Sequence, residues 1–371
     1  MTIDFDALKN QPRILFEVPL KPVMGSRLQP TGFPNLGPAS YGVPYVDSDG
    51  KDCTMPMLLV ESSQSMANRL EAVSWDDATN CIVAELEGLP NVKSILSGLN
   101  DGTDVTNSIL ESHRLNSPYI MSGETVDKRT FHDVLVQELR PAAVKAGADT
   151  TKPLELPGVV NLRRMAEVCF KYDPNSLVHG VFLEKIAGRL RHPRALSAFI
   201  EASNVLRVDS GGVKLDRVMA GSQSPDLTSE KGYTNVIFNR TEFTAQAITA
   251  YFSIDLAQLR GYGLGEDATR LLIALSLWKI RSFLDSSMRL RTACELEVVG
   301  GKASVVATRP EGGTFPLGTT AELATELKGL IVKCQPKFAT PTQTVLTWTG
   351  DKAEKKEKAP KAEKLPKKGG K

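Results

Sequence analysis

The stretch Pro56–Val73, PMLLVESSQSMANRLEAV, constrains the fold more than any other part of the chain. A short apolar run (Met57, Leu58, Leu59, Val60) stops at Glu61 and meets Ser62-Ser63-Gln64-Ser65. Met66, Leu70 and Val73 then recur at helical spacing. A buried strand entering a helix N-terminus accounts for this, because serine caps helices and Glu61 bounds the strand. Such an end carries unpaired backbone N–H groups and a positive dipole, which suit a phosphate. An ordinary capped helix lying on a sheet also accounts for it, and the local pattern alone favours that simpler reading.

The SSQS run followed by an arginine resembles the Ser-Ser-Gln-Ser-x-Lys-Arg segment of CRISPR-associated Cascade backbone subunits of the RAMP superfamily. The fuller stretch LLVESSQSMANRLE, with QPTGFPNLGPASY ahead of it, is similar to the type I-U (I-G) branch. The resemblance runs in order through most of residues 12–335 and is most specific at 29–41 and 57–71. It implies a ferredoxin-like, RRM-related core and an RNA-proximal loop ahead of the motif, where Arg27 is the one arginine. Here Ala67 and Asn68 intervene before Arg69, so the helix end carries less charge than the family pattern. Phosphate contact then shifts to Arg69 and backbone N–H groups.

The chain has 371 residues, 41% of them hydrophobic, enough for two domains or one elaborated domain. No apolar stretch is long enough to cross a bilayer, and MTIDFDALKN lacks the layout of a signal peptide, which places the protein in the cytoplasm. The cysteines Cys53, Cys81, Cys169, Cys294 and Cys334 are scattered without a CxxC pair, against both a disulfide framework and a zinc site. Cys81, Cys169 and Cys294 read as core filling. Net charge is +2, yet residues 351–371 hold nine Lys against four acidic residues, leaving about −3 for residues 1–350. Any RNA contact therefore comes from a local groove rather than from bulk attraction.

Residues 12–23 alternate as an opening strand with Ile14, Phe16 and Val18 on one face, and 24–56 read as loop. Strands are expected at Cys81–Leu86, Ser108–Leu110, Tyr119–Met121, Ser176–Ile186 and Leu290–Val299. Helices are expected over Asp127–Lys145, with Asp127 as cap and Pro141 and Gly147 closing it, and over Val160–Phe170 and Thr320–Val332. Gly211-Gly212 reads as a hairpin turn, 220–234 as a mobile projection, and VIFN and FTAQAITAYFSIDL as separate strands.

GRLRHPRALSAFIEASNVLRV is the densest basic patch in the body. Arg189, Arg191 and Arg194 surround His192-Pro193, on a turn or edge because Pro193 interrupts ladder bonding. Guanidinium groups there grip phosphate, or pair with Glu184 and Glu201 as a solvated basic turn. Gly261, Gly263 and Gly265 precede a helix with Leu271, Leu272, Leu275 and Trp278 on its buried face; the cluster is neither a P-loop nor a full GxGxxG. Tight strand–helix packing is the simpler account of it, and RNA proximity the other. His113, His132, His179 and His192 are far apart, in no metal-binding or nucleophilic pattern.

The expected fold is α+β, an RRM-like (ferredoxin-like) core with insertions at about 91–175 and 205–234, in a domain spanning 1–345 and followed by a disordered Lys-rich tail at 346–371. The expected function is a crRNA-binding backbone subunit of a type I Cascade complex, polymerising head-to-tail and presenting its guide to target DNA beside other Cascade subunits. No catalytic residue, cofactor or metal is expected. RNA-binding candidates are Arg27, Ser63, Gln64, Ser65, Asn68, Arg69, Arg189, Arg191, His192, Arg194, Gly261 and Gly263. Two alternatives stand: a metal-independent RAMP endoribonuclease using His192 as base, and a cytosolic nucleotide-binding enzyme using GYGLG.

Overall fold

The alternation Ile14, Phe16, Val18, Leu20 buries one face of β1 (Arg13–Pro22). Then come β2 (Ser40–Val46), β3 (Asp52–Glu61), α1 (Ser63–Ala72), β4 (Asn91–Leu96), β5 (Asp104–Asn107), α2 (Phe131–Leu139), α3 (Leu162–Tyr172) and α4 (Asn175–His179). The second half holds β6 (Val181–Leu183), β7 (Leu190–His192), β8 (Leu196–Lys214), β9 (Val236–Asp255), α5 (Leu256–Gly261), α6 (Glu266–Asp285), β10 (Arg289–Arg291), β11 (Cys294–Val298), α7 (Thr320–Cys334) and β12 (Gln343–Trp348). This computed structural model describes residues 3–97, 104–139, 161–184, 186, 190–214, 236–302, 305–310 and 315–350. Arg189, the expected projection at 220–234, the stop signals Pro141 and Gly147, and the tail from 351 onward lie outside the described residues.

The main sheet runs β10–β11–β1–β9–β8–β3–β2, antiparallel at every junction, with Arg27–Leu28 pairing separately on β9. Phe16 stands opposite Phe252, which stands opposite Ala198 on the next strand, so inward-facing residues line up across the sheet. Helices α1 and α6 cover this face with Met66, Leu70, Leu271 and Leu275, and Phe252 meets Phe283 edge-on at 6.2 Å. Burying so many whole aliphatic and aromatic side chains supplies the main folding drive, about 1.5–3 kcal/mol apiece. A second sheet, β5–β4–β12, pairs β12 parallel to β4 and buries Leu346. The protein is thus α+β.

Several local expectations are corrected. Ser40–Val46 is a strand, not loop: it pairs residue by residue with β3 across a turn in which Asp47 accepts bonds from the Asp49 and Lys51 N–H groups. Gly211-Gly212 is no turn, because β8 runs straight through it, with Gly211 opposite Asn239 and Gly212 opposite Phe238. The glycines serve close approach: a Cβ on Gly211 would lie 2.6 Å from the Phe238 carbonyl oxygen. VIFN and FTAQAITAYFSIDL are correspondingly one strand, β9, held by that long ladder.

Cys81–Leu86 divides into a two-residue strand and a 3-10 turn at Ala84–Leu86, and Cys81 is exposed rather than in the core. Ser108–Leu110 follows β5 as a turn capped by Asn107, and Tyr119–Met121 belongs to a short helix. Ser176–His179 is helical, leaving only β6 from the expected strand; a short apolar run does not distinguish the two states. Leu290–Val299 is the hairpin β10–β11, turned at Ala293 with φ +57°. Thr130, not Asp127, caps α2 by accepting from the Asp133 N–H at 3.2 Å.

Candidate nucleic-acid interface

The junction of β3 and α1 is built around a buried carboxylate. The β3–β8 register shifts between Ile200 and Glu201, so Ile200 faces Glu61 while Glu201 faces Leu59, and Val60 is the extra residue of a bulge. That extra residue turns Glu61 onto the inner face, fully buried. Ser65 Oγ and the Arg291 Nη2 group donate to Glu61, and Arg69 Nε lies 3.1 Å from its Oε1. Arg291 Nη1 also donates to the carbonyls of Val60 at 2.9 Å and Gln29 at 3.1 Å, and Arg69 to that of Leu290. Burial holds both guanidinium pKa values below the usual arginine range. Glu61 therefore carries two cations, which offsets the cost of burying it.

The expected motif residues divide accordingly. Ser62 caps the helix by accepting from the Ser65 N–H at 3.3 Å, while Ser65 and Arg69 turn inward to Glu61. Gln64 and Asn68, one turn apart, are exposed. Among the described residues the backbone N–H groups of Ser63 and Gln64 have no hydrogen-bond partner, as first-turn groups of a helix do not within the helix itself. They and the two amide side chains form the outward, donor-rich part of the motif.

Arg194 is brought to the same place. Its Nη1 donates to the Ser63 carbonyl at 3.2 Å, so the link between β7 and β8 and the helix end are contiguous. Burial lowers the Arg194 pKa, Arg114 adds to the shift, and Glu71 opposes it. Arg191 is exposed on β7, opposite Phe182. His192 points the other way: it is buried, meets Tyr262 edge-on at 5.0 Å, and burial lowers its pKa.

Arg27 and the glycines stand apart from this group. Arg27 Nη1 pairs with buried Glu242 at 3.1 Å and with Ser210 Oγ at 3.2 Å, and Arg240 takes the other Glu242 oxygen at 2.9 Å. Arg27, Arg240 and Glu242 line a cavity of about 270 Å³. Gly261 ends α5, and Gly263, with φ +66°, packs under the Arg163 side chain.

A buried polar network that the sequence reading did not single out supports the far end of α1. Glu71 receives two bonds from Arg114, at 2.6 and 2.9 Å, and one from Asn175 at 3.3 Å. Lys279, wholly buried, donates to the Leu70 carbonyl at 3.1 Å and to Ser74 Oγ at 2.7 Å, a cation at a helix C-terminus. Burial pushes the Asp173 carboxyl up to about 7 and the Lys279 ammonium down to about 7. The available signal was a single lysine inside the apolar helix segment SLWKIRSF. Among the described residues, no group of three His, Cys, Asp or Glu is placed to hold a metal, and no helix is long and apolar enough to cross a membrane.

The family model described as CRISPR-associated protein GSU0053 matches residues 14–207, more than half of the chain. The chain belongs to this CRISPR-associated family. The matched span opens in β1, contains the whole β3–α1 junction and the basic 191–194 segment, and ends inside β8. Gly261 and Gly263 lie beyond it. No curated protein matches the chain. A solved structure described as a CRISPR RNA-guided surveillance complex, pre-nicking, aligns at 15% identity and a TM-score of 0.34, over 77% of this chain and 73% of that one.

Proposed function

We propose that the chain is a crRNA-binding backbone subunit of a type I Cascade complex of the I-U (I-G) branch. Copies line up head-to-tail along the guide, a heterologous contact that extends as a helix, and present the spacer to target DNA beside other Cascade subunits. The observation that carries this reading is the Arg194–Ser63 contact within the matched family span, because it joins the exposed helix end and the basic 191–194 segment into one surface. Free N–H groups, the amides of Gln64 and Asn68, and the guanidinium of Arg191 suit a phosphodiester backbone. Base pairing then supplies sequence specificity while the protein holds the backbone.

The strand order supports an RRM-like core. Taken as β1, α1, β8, β9, α6, β11, the chain follows a β-α-β-β-α-β path with its last strand beside its first, the plan of a ferredoxin-like fold. The reading is of a non-cleaving subunit. A general base must reach the 2′-hydroxyl, and His192 is buried against Tyr262.

The test is purification of the tagged protein from cells carrying its neighbouring genes, with sequencing of bound RNA. A discrete population of repeat-derived guides in a large particle is expected. Recovery of an RNA-free monomer sinks the proposal.

A further inference from the structure

A cavity of about 300 Å³ opens beside the Gly263–Leu264 turn, and four cationic side chains line it: Arg163 and Arg164 from α3, Lys171 further along α3, and Lys337 after α7. Two carboxylates oppose them. Glu167 lies 3.0 Å from Arg164 and 3.6 Å from Arg163, and Glu138 takes Arg164 at 3.0 Å and also accepts from Lys171. Four cations against two anions leave an excess of positive charge, and the two least committed cations lie against the turn from α3 and from the segment after α7. Arg163 is exposed, with a long surface ion pair of little strength. Lys337 donates to the Leu264 carbonyl.

The turn is shaped to let these groups approach. Gly263 and Gly265 hold φ +66° and +92°. A Cβ on Gly263 would lie 3.4 Å from Arg163 Nε, and one on Gly265 would lie 3.2 Å from Lys337 Nζ. A Cβ on Gly263 would make only ordinary contact with Arg163, whereas the missing Cβ on Gly265 leaves room for the Lys337 ammonium, and the positive φ of both residues suits glycine.

We propose that this cavity is an oxyanion site taking one phosphate group, with Arg163 and Lys337 as direct ligands and Arg164 and Lys171 supporting the local potential. Guanidinium and ammonium suit that chemistry, the first as a two-pronged donor and the second as a point charge. The phosphate is either a diester of the RNA strand or that of a free nucleotide. The first source rests on the RNA reading above, whereas the anion site does not.

The test uses the full chain, titrated calorimetrically with inorganic phosphate and with adenosine monophosphate, and by fluorescence anisotropy with a labelled single-stranded RNA. The variants are Arg163→Glu with Lys337→Glu, the milder Arg163→Gln at its exposed position should the double variant fold poorly, and Lys51→Glu on the β2–β3 turn as control. Phosphate or nucleotide binding is expected to weaken at least tenfold in the double variant, severalfold in Arg163→Gln, and not in the control. If RNA is the source, its affinity falls as well, and its salt slope drops by about 1 per lost phosphate contact. Equal losses in the control, or none in the double variant, overturn the site. Phosphate binding without RNA binding upholds the site while removing the RNA reading; RNA binding untouched by the double variant, with no phosphate binding, does the reverse.

Discussion

Glu61 and Arg291 form an ion pair in the core although 230 residues separate them along the chain. The bulge at Val60 turns the carboxylate inward, and the β10–β11 hairpin delivers the guanidinium to both Glu61 and the bulged carbonyl. With Arg69 on the other oxygen, the start of α1 is tied to the far edge of the sheet. The helix end proposed to meet a phosphate is therefore positioned by a fully buried carboxylate and two partly buried guanidinium groups.

Removing Glu61 strands two partly buried guanidinium groups. Glu61→Ala is expected to lower stability by about 3–5 kcal/mol, the cost of breaking a buried pair from one side. Urea denaturation measures it, and a loss below about 1 kcal/mol contradicts the clamp.

Arg69 and Arg191 are expected to separate stability from binding. Arg69→Glu sets a second carboxylate beside Glu61 and lowers the melting temperature. Arg191→Glu, at an exposed position, leaves melting unchanged, weakens RNA binding and reduces the salt slope by about 1. Matching thermal losses in the two variants would place Arg191 in the packing instead.

The network under α1 makes stability depend on pH with opposite signs on either side of neutrality. Burial raises the Asp173 pKa to about 7 from 3.8, so the folded state holds the extra proton between those values. Its contribution is complete at low pH and is lost as pH rises to about 7. Burial lowers the Lys279 pKa from 10.5 to about 7, so there the unfolded state holds the extra proton, and stability recovers as pH rises through that interval. Asp173→Asn is expected to flatten the acidic limb and Lys279→Met the alkaline one. Denaturation midpoints at pH 5, 7 and 9 decide this; variants that run parallel to the parent at all three refute the assignment.

Gly211 lies against the backbone of β9, where relief by side-chain motion is impossible. Gly211→Val is expected to cost about 1–3 kcal/mol through forced separation of the strands. Hydrogen exchange should speed up at residues 205–214 and not in α6. Unchanged exchange there would show that the ribbon accommodates the side chain.

What the sequence determined by itself was local. Serine capping before Met66 and Leu70, the alternation of β1, the apolar face of α6 and the helix α7 each depend on neighbours a few residues away, and all were legible. The SSQS segment also carried the family resemblance, and the family match spans it. Tertiary structure decided what depends on distant partners. Whether Gly211-Gly212 turns or extends is set by the opposite strand, since glycine permits both. Whether Ser65 and Arg69 face a ligand or the interior is set by a bulge in β3 and by Arg291, and no local pattern encodes either. Backbone preference acts over one turn of helix, but a buried charge must be paired by whatever the fold brings to it.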